Sequence, residues 1–260
     1  MKKLAIYGLN LLLSLSFSIN CMAVESINLA NGEWPPYHSK KLKYYGFVSR
    51  IITEAFALKS IKVNYKFLPW KRGMILAQRG DLDGTAVWRY KDKFAKDFYY
   101  SDSVLGTNTV FFHLKNFPFK WNSFDDLKGM RIGGTIGYGY NEEYDKAEQS
   151  QEFIIHRVPR DEQNFAKLLA GRIDIFPITT EVGYYILQTK FRLKDQQLIT
   201  HHTQSLTPSK ERNLHLLLSK KIEKNKQVLI LFNLGLEQLK QSGKLRQYHE
   251  ELYQGKYQNN

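Results

Sequence analysis

Two successive rounds of alternating strand and helix patterns constrain this chain more than any other feature of it. In the first round Ile27 and Leu29 open a short strand, and Val48, Ile51, Ile52, Ala55 and Phe56 then recur at the spacing of a helix with one apolar face. Val63, Tyr65 and Phe67 alternate as a strand does, a helix covers Lys71 to Gln78 and closes at Gly80, and Asp81–Val87 reads as the next strand. The second round begins with a turn at Ser123 and Asp125. Strands follow at Arg131–Gly134, Ile154–Val158 and Ile173–Ile178, with helices starting near Asn141, around Phe165, Leu168 and Leu169 up to Gly171, and from Glu181. Strands that alternate with helices form sheets with crossover helices on their faces, so the expected class is α/β with mainly parallel sheets.

Each round is a unit of its own, and no low-complexity linker separates them. The chain must then pass between two lobes on ordinary strands, which are expected near Val104–His113 and Leu198–Thr207. A long helix at Lys224–Gln241, striped by Val228, Phe232, Leu236 and Leu239, and a short one carrying Leu245, Tyr248 and Leu252 complete the chain. The expected organisation is one lobe from 24–108 plus 206–260 and a second from 109–205.

The first residues read as an address rather than as fold. Lys2 and Lys3 precede an uncharged, leucine-rich stretch from Leu4 to Ile19, and the small residue Ala23 offers a cleavage point. Residues 1–23 are therefore expected to be a signal peptide, and the mature protein to be periplasmic. The stretch is short for a membrane span and is interrupted by Asn10. The one cysteine, Cys21, lies inside this segment; as a lipid-attachment site it would be preceded by Asn20, where such sites normally have Gly or Ala.

A formal net charge of +13 raises the question of an anionic partner. The basic residues scatter, however, and no helix-turn-helix, zinc-finger or RNP pattern accompanies them, so no nucleic acid is expected. The histidines are dispersed, and neither an HExxH nor a GxSxG motif occurs, so no metal, cofactor or catalytic residue is assigned.

The order of several short segments resembles a known family. Gly32-Glu33-Trp34-Pro35-Pro36-Tyr37, Pro69-Trp70-Lys71-Arg72, Gly80-Asp81-Leu82-Asp83, Tyr100-Ser101-Asp102, Asp126-Leu127-Lys128-Gly129, Gly171-Arg172-Ile173-Asp174 and Phe232-Asn233-Leu234-Gly235-Leu236 are similar to the pattern of the periplasmic solute-binding proteins, family 3, of the polar amino acid ABC transporter type. That resemblance implies a type II periplasmic binding fold. In it two lobes joined by two hinge crossings close on a small polar solute, and no reaction is catalysed. Its partners would be the membrane subunits of an ABC transporter or a membrane receptor, and the protein itself a monomer. A cyclohexadienyl dehydratase-like enzyme on the same fold is the catalytic alternative, with Glu181 as the acid.

The resemblance also implies where ligand contacts fall. Trp34 stands where the family stacks an aromatic on the ligand, with Tyr37 packing beneath it. Trp70 and Arg72 lie at a strand-to-helix junction aimed at the cleft. Trp88 and Arg89 follow the Asp83 strand, at the loop that touches ligand. The family's Thr-Pro-Glu-Arg clamp for a carboxylate is replaced here by Tyr90-Lys91-Asp92-Lys93, which leaves Arg89 or Lys93 to serve. In the second lobe, Gly137-Tyr138-Gly139-Tyr140 offers a turn whose backbone N–H groups suit an anion, with Tyr138 at the cleft. Thr179 occupies the place of the aspartate that receives a ligand ammonium. Either Glu181 takes that role or the ligand is not an α-amino acid.

Overall fold

The computed structural model describes residues 24–136 and 138–258; the expected signal peptide, its cleavage near Ala23 and Cys21 lie outside the described residues. The first lobe is built on a five-stranded sheet of order β2-β1-β3-β10-β4. Its strands are β1 (Ser26–Asn31), β2 (Lys62–Phe67), β3 (Gly84–Arg89), β4 (Phe98–Gly106) and β10 (Asn213–Ser219). The helices α1 (Phe47–Ala57) and α2 (Trp70–Arg79) make the crossovers, so β2, β1 and β3 run parallel, while β10 joins antiparallel to both β3 and β4. A one-turn helix, α3 (Asp92–Ala95), links β3 to β4.

The second lobe holds β5 (Thr109–Leu114), β6 (Ile132–Thr135), α4 (Glu142–Gln149), β7 (Ile155–Val158), α5 (Asp161–Leu169), β8 (Phe176–Thr179), α6 (Thr180–Lys190), α7 (Leu193–Gln196) and β9 (Ile199–His201). Here β6 pairs parallel with β7, whereas β5 lies antiparallel between β8 and β9. The antiparallel pairs in both lobes come from the strands next to the crossings, which enter each sheet without a crossover helix. Finally α8 (Asn225–Gln241) and α9 (Lys244–Tyr253) return to the first lobe, where α8 packs on α1.

Burial follows the side-chain periodicities. On α1 the buried apolar residues are Phe47, Val48, Ile51, Ile52, Ala55 and Phe56, one stripe of the helix, and Phe56 meets Phe232 of α8 with ring centroids 4.7 Å apart. On β5 the period of two sends Phe111 and Phe112 to opposite faces. Phe111 meets Trp121 and Tyr144, while Phe112 meets Phe165 and Tyr184. Both faces are apolar because both are covered.

The two passages between lobes are short. β4 ends at Gly106 and β5 begins at Thr109. The return passage falls at 207–212, later than the sequence suggests, because His202 and Leu206 still donate backbone N–H groups to Phe111 and Thr109 of β5. The passages lie side by side: Thr107 N donates to the Arg212 carbonyl at 2.9 Å, and its hydroxyl donates to the same oxygen at 3.2 Å. Among the described residues no helix is long and apolar enough to cross a membrane.

Candidate functional site

Between the lobes lies a cavity of about 490 Å³. It sits beyond the carboxyl ends of the parallel strands, where open α/β sheets bind ligands. The first lobe supplies Glu33 and Trp34 from the loop after β1, Trp70 from the start of α2, Val87, Trp88 and Arg89 from the end of β3, and Leu214 from β10. The second lobe supplies Thr109 from the start of β5, Tyr138, Gly139 and Tyr140 from the loop after β6, Ile178 and Thr179 from the end of β8, and Val182 from α6.

Three of the four tryptophans form the first-lobe wall. Trp70 and Trp88 meet edge to face, with centroids 5.5 Å apart and planes at 89°, so together they make a corner rather than a flat surface. Trp70 lies against the backbone of Gly32, where an added Cβ would stand 2.2 Å from its Cε2. Trp88 is oriented by its indole N–H, which donates to the Thr85 hydroxyl at 3.1 Å. Trp34 is fixed by its loop: its N–H donates to the His38 carbonyl at 2.7 Å, and the His38 N–H donates back at 3.0 Å.

Arg89 is the cation in this wall. Its Nη1 donates to the Glu211 carbonyl and its Nη2 to the Thr107 hydroxyl at 3.1 Å, so it ties together the two passages between lobes. Burial lowers its affinity for a proton, but a guanidinium stays charged at any physiological pH. Among the described residues no carboxylate forms an ion pair with it; the Glu211 carboxylate acts on it only through space, and two hydrogen bonds leave most of its five N–H donors free.

Across the cavity, Tyr138 is held from two sides. Its hydroxyl donates to Asp161 Oδ2 at 3.0 Å, and Arg157 Nη1 donates to its carbonyl at 3.0 Å. The other Asp161 oxygen accepts from the Thr135 hydroxyl. Burial pushes the Asp161 carboxyl above its ordinary pKa, and these two hydroxyls oppose that shift. Thr109 and Thr179 face each other in register between β5 and β8, and among the described residues no hydrogen bond engages either hydroxyl.

The structure thus brings together Trp34, Trp70, Trp88, Arg89, Tyr138 and Thr179, and leaves two expected residues outside. Arg72 is exposed on α2, because the docked side of that helix carries Gly73, Met74 and Ala77. Glu181 is turned away from the cavity: its Oε2 accepts from the Tyr37 hydroxyl at 2.8 Å and its Oε1 from the Tyr253 hydroxyl at 3.5 Å. Lys93 is also exposed on α3, its ammonium 5.1 Å from the Phe94 ring centroid.

Two N–H groups of the expected anion-holding turn are engaged within the protein. Tyr138 N donates to the Thr135 carbonyl and Tyr140 N to Asp145 Oδ1, while Gly137 lies outside the described residues. Tyr37 does pack beneath Trp34, with ring centroids 4.7 Å apart, yet the reach of its hydroxyl to the opposite lobe left no sign in the sequence. Thr109, Ile178, Val182 and Leu214 also escaped a sequence reading, since nothing local distinguishes a strand residue facing the cavity from one facing the core.

No protein-family model matches the chain, and no curated protein sequence does. Many solved structures match by shape. One is the second substrate-binding domain of Lactococcus lactis GlnP, in an open conformation, with a TM-score of 0.67 and 14% identity over 88% of this chain and 95% of that one. Another is an amino acid ABC transporter substrate-binding protein of Streptococcus pneumoniae bound to L-arginine, with a TM-score of 0.64 and 13% identity over 90% and 97% of the two chains. A histidine kinase sensor domain with similarity to periplasmic binding proteins gives a TM-score of 0.65 and 15% identity over 89% and 97%. At such identities the likeness speaks for architecture alone: this chain has the two-lobed α/β fold of the type II periplasmic binding proteins.

Proposed function

We propose that the protein is an exported, monomeric binding protein that captures a small polar solute bearing a carboxylate in the cavity between its lobes and catalyses no reaction. The observation that carries this reading is Arg89, a half-buried guanidinium facing the cavity without an ion-pair partner among the described residues. Withdrawing a charge from water is costly unless it is paired, and a planar fork of donors fits a carboxylate two bonds at a time. A solute carboxylate would supply the missing partner, while Trp34, Trp70 and Trp88 would hold its body. Lobe closure on the solute would present a new surface to a membrane partner.

A binder is favoured over a dehydratase-like enzyme because Glu181, the suspected acid, is bonded to Tyr37 and Tyr253 outside the cavity. Two partners fit the reading equally, ABC transporter membrane subunits and a membrane receptor, since the architectural relatives include both transporter components and a kinase sensor domain. The test is a thermal-shift screen of small carboxylates on wild type and Arg89→Ala. Saturation at a hundred times the dissociation constant should raise wild-type stability by about 2.7 kcal/mol. No shift with any carboxylate, or an equal shift in the variant, would refute the proposal.

A further inference from the structure

Among the described residues the cavity offers Arg89 to a carboxylate but no buried acidic side chain to a cation that carries N–H donors. We infer that its ligand is a carboxylate whose remaining part carries no free ammonium group, so that α-amino acids are excluded; this rests on the carboxylate reading of Arg89 given above.

The inference follows from where the acidic groups stand. Glu33 is the one carboxylate in the cavity lining among the described residues; it is exposed, and its Oε1 already accepts the Lys40 N–H at 3.0 Å. Position 179, at the end of β8, holds a threonine. Glu181, two residues on, is committed to the hydroxyls of Tyr37 and Tyr253. Asp161 stands behind the wall, with one oxygen bonded to Thr135 and the other to Tyr138. An ammonium entering this space would bring three N–H donors and would find the hydroxyls of Thr109 and Thr179 as neutral acceptors, while the one carboxylate of the lining, Glu33, stands exposed to solvent. Desolvating a primary ammonium on such terms is unfavourable.

The indole corner suits what remains. The perpendicular faces of Trp70 and Trp88, with Trp34 beside them, accept a body without N–H donors. Two bodies share that chemistry. An aromatic or branched hydrocarbon group gains from burial against the rings. A quaternary ammonium has no N–H to satisfy and is attracted to indole faces.

Matched pairs separate these possibilities. Calorimetric titration of the mature chain would compare 3-phenylpropionate with L-phenylalanine, 4-methylpentanoate with L-leucine, and glycine betaine with glycine, each on wild type and on Arg89→Ala. The expected result is that in at least one pair the member without a free ammonium binds tenfold or more tightly than its α-amino acid, with binding lost in Arg89→Ala. Preference for the first two pairs identifies a hydrocarbon body, and preference for the third a quaternary ammonium. An α-amino acid that binds as tightly as its partner, and loses affinity in Arg89→Ala, overturns this inference and leaves the carboxylate reading intact. No binding by any of the six, or binding that survives Arg89→Ala, overturns both.

Discussion

The Tyr37 hydroxyl donates a 2.8 Å hydrogen bond to the Glu181 carboxylate, joining a residue buried beneath Trp34 in the first lobe to the first turn of α6 in the second. Burial and the neighbouring carboxylate push the Tyr37 phenol well above its ordinary pKa, so it stays a donor throughout the accessible pH range. A hydrogen bond to a charged acceptor contributes about 1.5–3 kcal/mol. Tyr37→Phe keeps the ring contacts with Trp34 and Phe47 and removes only this bond. The variant should lose about that much stability in urea titrations, and X-ray scattering should show a larger radius of gyration as the lobes part. Unchanged scattering would mean that the bond does not hold the lobes together.

His38 makes stability depend on acid. The Ser49 hydroxyl accepts from Asn31 at 3.0 Å and shares a 2.9 Å hydrogen bond with His38 Nδ1, while His38 Nε2 is a buried atom with no hydrogen-bond partner among the described residues. Burial lowers the His38 pKa to about 3. Between that value and the unfolded value of about 6.5 the unfolded chain binds the extra proton, so stability is lost as pH falls through this window. At full effect the slope is about 1.4 kcal/mol per pH unit. His38→Phe should flatten the curve between pH 3 and 6.5 relative to wild type; parallel curves would contradict the assignment.

Gly235 lets α8 lie directly on α1. A Cβ there would stand 2.0 Å from the Ala55 carbonyl oxygen, and backbone cannot yield as a side chain does. Gly235→Ala should therefore destabilise the first lobe by about 1–3 kcal/mol, the usual cost of overpacking. The check is a fall in the urea midpoint with an unchanged m-value. A midpoint equal to that of wild type would show that the helices separate freely.

Thr179→Asp would put a carboxylate into the cavity wall at the end of β8, opposite Thr109. If absence of a buried counter-charge is what excludes an ammonium, this variant should bind L-leucine or L-phenylalanine at least tenfold more tightly than wild type does. Titration calorimetry reads the change. An unchanged preference would place the selectivity elsewhere.

Much of this was legible in the sequence because it is local. The period-two and helical stripes of β2, α1 and α8 identify elements regardless of what they pack on. Trp34, Trp88, Arg89 and Thr179 stand at strand ends, where a parallel sheet opens to ligand. Helix residues were harder. Arg72 follows Trp70 by two positions, yet docking of Gly73, Met74 and Ala77 turns it outward. The direction of Glu181 is set by Tyr37, 144 residues earlier in the chain. The turn after β6 has the composition of an anion site, but Asp145 takes one of its N–H groups, and spacing alone does not reveal such competition.

The central claim is that Arg89 binds the carboxylate of a solute between the lobes. It is tested most directly by calorimetric titration of the tightest-binding carboxylate into wild type, Arg89→Ala and Thr107→Val. The third variant removes one hydrogen bond of Arg89 to the interlobe passage and leaves its charge. Arg89→Ala should lose at least ~30-fold in affinity, the low end for breaking a buried charge pair, while Thr107→Val stays within about threefold. Affinity in Arg89→Ala within threefold of wild type, in a variant with a native circular dichroism spectrum, would contradict the account.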